Sequence, residues 1–305
     1  MDAAALDQIL IPVNPFGQAV LAVALIIIMF AVALGLKLEH FAFMRKSPRF
    51  FVGGLLFQLV GLPVATLALI LLLSPPASIA LGMIVVAACP GGNVSNMMTW
   101  AARGDVAYSV SLTAGSSVIA ALWTPTAILF WSGIYAPTAS LLDTIAFNRL
   151  GFVAQTTLML VLPLTAGMAI SHYRPALAKQ IRKPAATSGG SLLAFCVIVG
   201  TAQNYSLLAP ALNLIAVPIV LHNALAFALG TIAGVVLQAP NAKRRTLTFE
   251  IGIQNTGLAL VLLIAQLQGL SGAVAIAALW GIWHFFSGGA MIALYRYLDR
   301  NEARI

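Results

Sequence analysis

Cys89-Pro90-Gly91-Gly92-Asn93-Val94-Ser95-Asn96 stands in the middle of an apolar run that reaches from Ile79 to about Trp100. Ile79 to Cys89 covers only about 16 Å at 1.5 Å per residue, roughly half of a bilayer's hydrocarbon. Pro lacks an amide donor and Gly is entropically costly in a helix, so the sequence predicts a broken helix. Unwound backbone at that depth is tolerated only where protein or a watery cavity satisfies its amides and carbonyls. A second interruption, Glu250-Ile251-Gly252-Ile253-Gln254-Asn255-Thr256-Gly257, falls at comparable depth in the run Arg245 to Gln268. Two breaks near the midplane imply a site there.

Composition agrees with a lipid solvent. The 305 residues are 61% hydrophobic and 8% charged, with a mean hydropathy of +0.98, too apolar for a soluble domain with a polar surface. Nine apolar segments are predicted: Phe16–Leu36, Phe50–Leu73, Ile79–Trp100, Val106–Trp131, Gly151–Ile170, Ala185–Asn204, Leu212–Leu237, Arg245–Gln268 and Ala273–Tyr295. The expected fold class is an all-α polytopic membrane protein, one transmembrane domain over residues 1–305. The first residues, with Asp2 and Asp7 and no early Lys or Arg, do not read as a cleavable leader. Cys89 and Cys196 lie in apolar segments and read as buried thiols rather than a disulfide.

The net charge of +8 does not point to nucleic acid, because the basic residues sit in short clusters between apolar runs. With the N-terminus outside, fifteen of the sixteen Lys and Arg fall on the cytoplasmic side, Arg149 being the exception. The expected location is a cytoplasmic membrane, with the C-terminus inside. Segments two to four and seven to nine are triplets whose middle member is broken, and they start from opposite faces. That arrangement predicts inverted repeats around a midplane site.

Of the eight acids, Asp2, Asp7, Glu39, Asp105, Asp143, Asp299 and Glu302 fall at termini, loops or helix ends; Glu250 alone lies within a span. An intramembrane carboxylate is expensive, by about 2.5 kcal/mol or more, and needs a counter-cation or a proton. No Lys or Arg is available at its depth, which leaves Na⁺ or H⁺. Ser109 and Thr113, four residues apart, share one helix face and are candidate oxygen ligands. Gln58 interrupts an otherwise apolar segment. Each has a bland reading: a Ser or Thr bond back to the carbonyl one turn earlier, or an interhelical bond for Gln58. Helices restarting after Asn96 and after Asn255 would turn open amides toward an anion. His284 is a candidate substrate contact or a structural histidine.

The stretch Cys89-Pro90-Gly91-Gly92-Asn93-Val94-Ser95-Asn96-Met97-Met98-Thr99, continuing to Val110, together with Phe249-Glu250-Ile251-Gly252-Ile253-Gln254-Asn255-Thr256-Gly257-Leu258-Ala259, resembles the two signatures of the bile acid:sodium symporter family. The resemblance implies two crossing broken helices in a core domain, about 50–131 and 212–295, and a moving panel domain, about 16–36 and 151–204. It implies one sodium ion at Ser95, Asn96, Ser109, Thr113 and Glu250. A second would lie at Gln58, Glu250 and Gln254 with the carbonyls of Ile251 and Ile253. It places the substrate near Asn93, Asn255 and His284. Some bacterial relatives have ten spans; this chain matches from their second onward. Phe285 stands where relatives often carry Asn.

The expectation is a sodium-coupled symporter of an organic anion, bile-acid-like or a small carboxylate, with no cofactor beyond the coupling ion. The alternative is a proton-coupled exporter titrating Glu250, against which the many neutral oxygen donors argue. An intramembrane enzyme is disfavoured, since nucleophilic or acid-base chemistry needs a base and a partner together. A Cys89-based metalloid exporter fits the Pro-Gly-Gly-Asn context poorly. The sequence does not identify the anion or the oligomeric state.

Overall fold

A computed structural model describes residues 6–7, 15–37, 39, 46–145, 147–203, 205, 212–267 and 269–302. Asp2, Arg45, Asn204, Gln268 and Arg304, which entered the sequence-based reading, lie outside the described residues. The described residues are mostly helical: α1 Pro15–Ala33, α2 Pro48–Leu56, a π turn Phe57–Gly61, α3 Leu62–Leu73, α4 Ala77–Ala88, α5 Asn93–Ala101, α6 Val106–Ile134, α7 Ala136–Thr144, α8 Arg149–Tyr173, α9 Pro175–Gln203, α10 Leu212–Val236, α11 Asn241–Gly252, α12 Thr256–Ala265 and α13 Ser271–Glu302.

Among the described residues six helices, rather than nine, are long and apolar enough to cross a membrane, the run Pro48–Leu73 counting as one. The shortfall has two physical sources. The third and eighth predicted segments are each split into two short helices, α4/α5 and α11/α12, as their Pro, Gly and Asn content dictates. The sixth belongs to a 29-residue helix whose first half carries Lys179, Arg182 and Lys183. The short helix α7 in the loop before α8 went unpredicted.

Both breaks lie inside the packed interior. Helix α4 is buried along almost its whole length, from Ser78 to Ala88, and α12 from Leu258 to Ile264. Thr124 of α6 donates to the carbonyl of Ala88 at the end of α4 (2.9 Å), occupying an acceptor that the break sets free. Asp7 is more than a terminal acid: its carboxylate accepts from the amides of Ala77 and Ser78, at 3.0 and 2.7 Å, and caps α4. Asp105 similarly caps α6 through the Tyr108 amide (3.0 Å).

Helix α13 packs along α4 and α12, and α10 packs along α11. Glycines allow the closest approaches. A Cβ on Gly230 would stand 2.5 Å from the Leu247 carbonyl oxygen and 2.7 Å from Thr248 Cα, and one on Gly82 would stand 2.8 Å from Ala273 Cα. Helices α1, α8 and α9 form a second group that packs mutually, with Gly167 of α8 against Phe30 and Ala33 of α1. At one end of the bundle Lys243 pairs with Asp105 (3.0 Å), while Arg103 and Arg245 both pair with Asp299.

Candidate functional site

Glu250 sits in the last turn of α11, where Gly252 and the extended Ile253 (φ −120°, ψ 103°) end the helix. Its side chain is fully buried. Ser95 of α5 and Ser109 of α6 each approach Oε1 at 2.5 Å as donors, and Thr113 donates to Oε2 at 2.9 Å. On α6, Ser111 takes the bond back to the carbonyl one turn earlier (2.7 Å to Ala107), whereas Ser109 and Thr113 reach across to the carboxylate. For these two the bland reading fails.

The donors are too few for the acceptors. Ser95 Oγ also lies 2.7 Å from the Gly92 carbonyl, and Thr113 Oγ1 lies 3.4 Å from Asn96 Oδ1. Each hydroxyl has one proton to give. The cluster therefore holds a surplus of oxygen lone pairs around one carboxylate, the environment that a hard cation satisfies. No group of three or more His, Cys, Asp or Glu suited to a metal occurs among the described residues, so the donor set is one of hydroxyls, amides and carbonyls with a single acid.

The two breaks are joined. Gly91 and Gln254 form an isolated antiparallel bridge, in which the Gly92 amide donates to Ile253 (3.2 Å) and the Asn255 amide to Pro90 (2.9 Å). A Cβ on Gly91 would fall 2.8 Å from Gln58 Nε2 and 3.2 Å from Glu250 Oε2, so this approach requires glycine. Gln58, set in the π turn, donates to the Glu250 carbonyl at 3.0 Å, and Gln254 donates to that of Ile251 at 2.8 Å. The side-chain oxygens of both glutamines are buried without a hydrogen-bond partner. A carbonyl has two lone pairs, so Ile251, which accepts from Gln254, and Ile253, which accepts from the Gly92 amide, each keep acceptor capacity.

The predicted substrate residues are more scattered. Asn93 is exposed at the start of α5. That helix begins four residues earlier than expected, because the extended Gly92 (φ −89°, ψ 150°) serves as its N-cap and offers no side chain. Asn255 instead caps α12 by accepting from the Leu258 amide (3.0 Å). The open amides therefore belong to α5 more than to α12. His284 is buried beside Trp280 (5.5 Å between ring centroids) and Phe285 (4.5 Å). Neither of its ring nitrogens has a hydrogen-bond partner among the described residues.

Sequence reasoning missed Asn223. Its amide nitrogen donates to the Gly252 carbonyl (2.9 Å), and its oxygen accepts from Ser287 of α13 (2.5 Å). A buried Asn within the apolar run of α10, next to His222, was the available signal. Asn223→Ala strands the Gly252 carbonyl and loosens the backbone between Ile251 and Ile253. The expected result is an unfolding midpoint lowered by several degrees, from the roughly 1–3 kcal/mol lost with a buried hydrogen-bond partner. Thermal unfolding of the purified variant beside the wild type measures it.

Residues 22–211 match the model of the sodium bile acid symporter family. The chain is 30% identical over 271 residues to the uncharacterized sodium-dependent transporter YocS of Bacillus subtilis, covering 88% of this chain and 80% of that one. It is 28% identical to a chloroplast protein of Arabidopsis thaliana named as a probable sodium/metabolite cotransporter, over 90% of this chain and 66% of that one. Against the human ileal sodium/bile acid cotransporter it is 29% identical, over 79% of this chain and 68% of that one. With the family model covering well over half of its length, and with both signature stretches meeting at one buried carboxylate, the chain belongs to the sodium bile acid symporter family.

Proposed function

We propose that this protein is a sodium-driven symporter of a small organic anion, working by alternating access, with Na⁺ held around Glu250. The observation that carries the reading is the buried carboxylate ringed by Ser95, Ser109 and Thr113, with oxygens in excess of protons. One ion is assigned to Ser95, Asn96, Ser109, Thr113 and Glu250. A second is assigned to Gln58, Glu250, Gln254 and the carbonyls of Ile251 and Ile253; the unpartnered buried oxygens of Gln58 and Gln254 support it. Asn93, Asn255 and His284 are assigned to the anion. The uncapped start of α5 and the unpaired nitrogens of His284 favour that placement.

Nine crossings follow if each broken pair, residues 77–101 and 241–265, spans once and α9 spans as well. The pairing of Arg103, Lys243 and Arg245 with Asp105 and Asp299 at one end supports a common cytoplasmic side for those loops, hence an outside N-terminus. The mutual packing of α1, α8 and α9 supports their assignment to a panel that moves against the remaining core.

In proteoliposomes, uptake of labelled monocarboxylates or conjugated steroids should rise at least tenfold on imposing an inward Na⁺ gradient and should not respond to ΔpH alone. Uptake that follows ΔpH and ignores Na⁺ would overturn the proposal. Two cations entering with a monoanion also make transport electrogenic, so a negative interior potential should accelerate it.

A further inference from the structure

A cavity of about 710 Å³ opens where the C-terminal end of α1 meets α8 and the first turns of α9. Lys37, Lys179, Arg182 and Lys183 line it together with Gly35 and Ser171. Lys179, Arg182 and Lys183 stand at i, i+3 and i+4, so they share one face of α9. Among the described residues no acid lines this cavity; Glu39, with His172, lines a smaller one of about 360 Å³ that shares Lys37, Ser171 and Pro175 with it.

Keeping Lys and Arg on one side of a membrane requires only that they lie outside the hydrocarbon. It does not require them to line a concavity. Nor does it require the contact seen at Gly35, where an added Cβ would meet Arg182 Cζ at 2.5 Å. The guanidinium comes close to the backbone just past α1, at the place where a side chain on residue 35 would begin. None of Lys179, Arg182 and Lys183 takes part in an ion pair among the described residues. A volume of this size suits a small organic ligand rather than a bare ion, and the cavity sits at the ends of membrane-spanning helices, at the level of lipid headgroups.

We propose that this cavity is a binding site for the headgroup of an acidic phospholipid, with the Arg182 guanidinium and the Lys179 and Lys183 ammonium groups gripping its phosphodiester. Arg supplies the forked donors that match phosphate oxygens, and the lysines add point charge. The site is independent of the sodium ions and of the transported anion, so its test can fail while the transport reading stands.

The test is thermal unfolding of the purified full-length protein in neutral detergent with phosphatidylglycerol, phosphatidylcholine or inorganic phosphate. Phosphatidylglycerol should raise the midpoint by about 5 °C more than phosphatidylcholine does. The excess should vanish in the triple variant Lys179→Gln, Arg182→Gln, Lys183→Gln. It should shrink by half or more in Gly35→Leu, which keeps every charge but fills the place of the guanidinium. Equal shifts from the two lipids, or an undiminished excess in the triple variant, overturn the proposal. An equal shift from inorganic phosphate overturns the lipid assignment in favour of a soluble anion. If the triple variant does not fold, native mass spectrometry of the wild type and Arg182→Gln decides: one fewer retained phosphatidylglycerol supports the site, and an unchanged count removes it.

Discussion

Glu250→Gln should leave a folded protein that no longer responds to sodium, with Na⁺-driven uptake reduced at least about 100-fold. At an ion-oxygen separation of about 2.4 Å and an effective dielectric of about 20, a carboxylate attracts a monovalent cation by roughly 7 kcal/mol before the ion's desolvation is subtracted. Retaining even about 3 kcal/mol of that corresponds to roughly 100-fold in affinity. Ser95, Ser109 and Thr113 all aim their single protons at this carboxylate, so they cannot replace its charge. The amide preserves shape and half of the acceptor capacity, and it removes an ionisable group from a fully buried site, so the fold tolerates it. Thermal unfolding with and without Na⁺ provides the check: the wild type should be stabilised by Na⁺ and the variant should not. A Na⁺-induced shift of undiminished size in Glu250→Gln would refute the assignment of the ion to this residue.

Gly230→Ala should destabilise the protein by about 3 kcal/mol or more, and Gly289→Ala should not. At Gly230 the new methyl would stand 2.5 Å from the Leu247 carbonyl and 2.7 Å from Thr248 Cα. Those are backbone atoms, which cannot rotate aside, so α10 and α11 must separate. Helix α11 carries Glu250 two residues further on, and a small shift of it moves the carboxylate away from α5 and α6. Loss of sodium response should therefore accompany loss of stability. Gly289 lies in α13 with nothing within 4 Å of an added Cβ. There the methyl improves helix propensity and should be neutral or stabilising by up to about 1 kcal/mol. Opposite signs for the same chemical change, read as unfolding midpoints, test the close approach of α10 and α11 directly.

The broken helices and the acid were readable from residue type alone, because in lipid a Pro-Gly-Gly run and a lone carboxylate each demand compensation. That demand even picked out partners 137 and 141 residues away, Thr113 and Ser109. Other features were not readable, for reasons that differ. The π turn at Phe57–Gly61 leaves no compositional trace beyond Pro63, whose missing amide leaves the Leu59 carbonyl free to accept from the Trp123 indole (3.1 Å). That Asn255 caps α12 depends on a local dihedral choice, and an Asn side chain permits both this use and an anion contact. Asp7 looked like a solvent-facing terminal acid because its partners, Ala77 and Ser78, are 70 residues on and themselves unremarkable in sequence. The nine predicted segments and the six long apolar helices differ because a helix interrupted at its midpoint becomes two short ones, and because α9 carries basic residues through its first half.

Where the two helices are interrupted, each gap is closed by the other: the amides of Gly92 and Asn255 rest on the carbonyls of Ile253 and Pro90. Prising them apart would expose four polar groups where water does not reach, at several kcal/mol apiece. The junction is thus a strut, and Glu250, three residues before its Ile253 end, inherits the stiffness. On the alternating-access reading proposed above, rocking that admits cargo first from one face and then from the other would pivot about this fixed point, with the surrounding helices sliding past an ion seat that stays put.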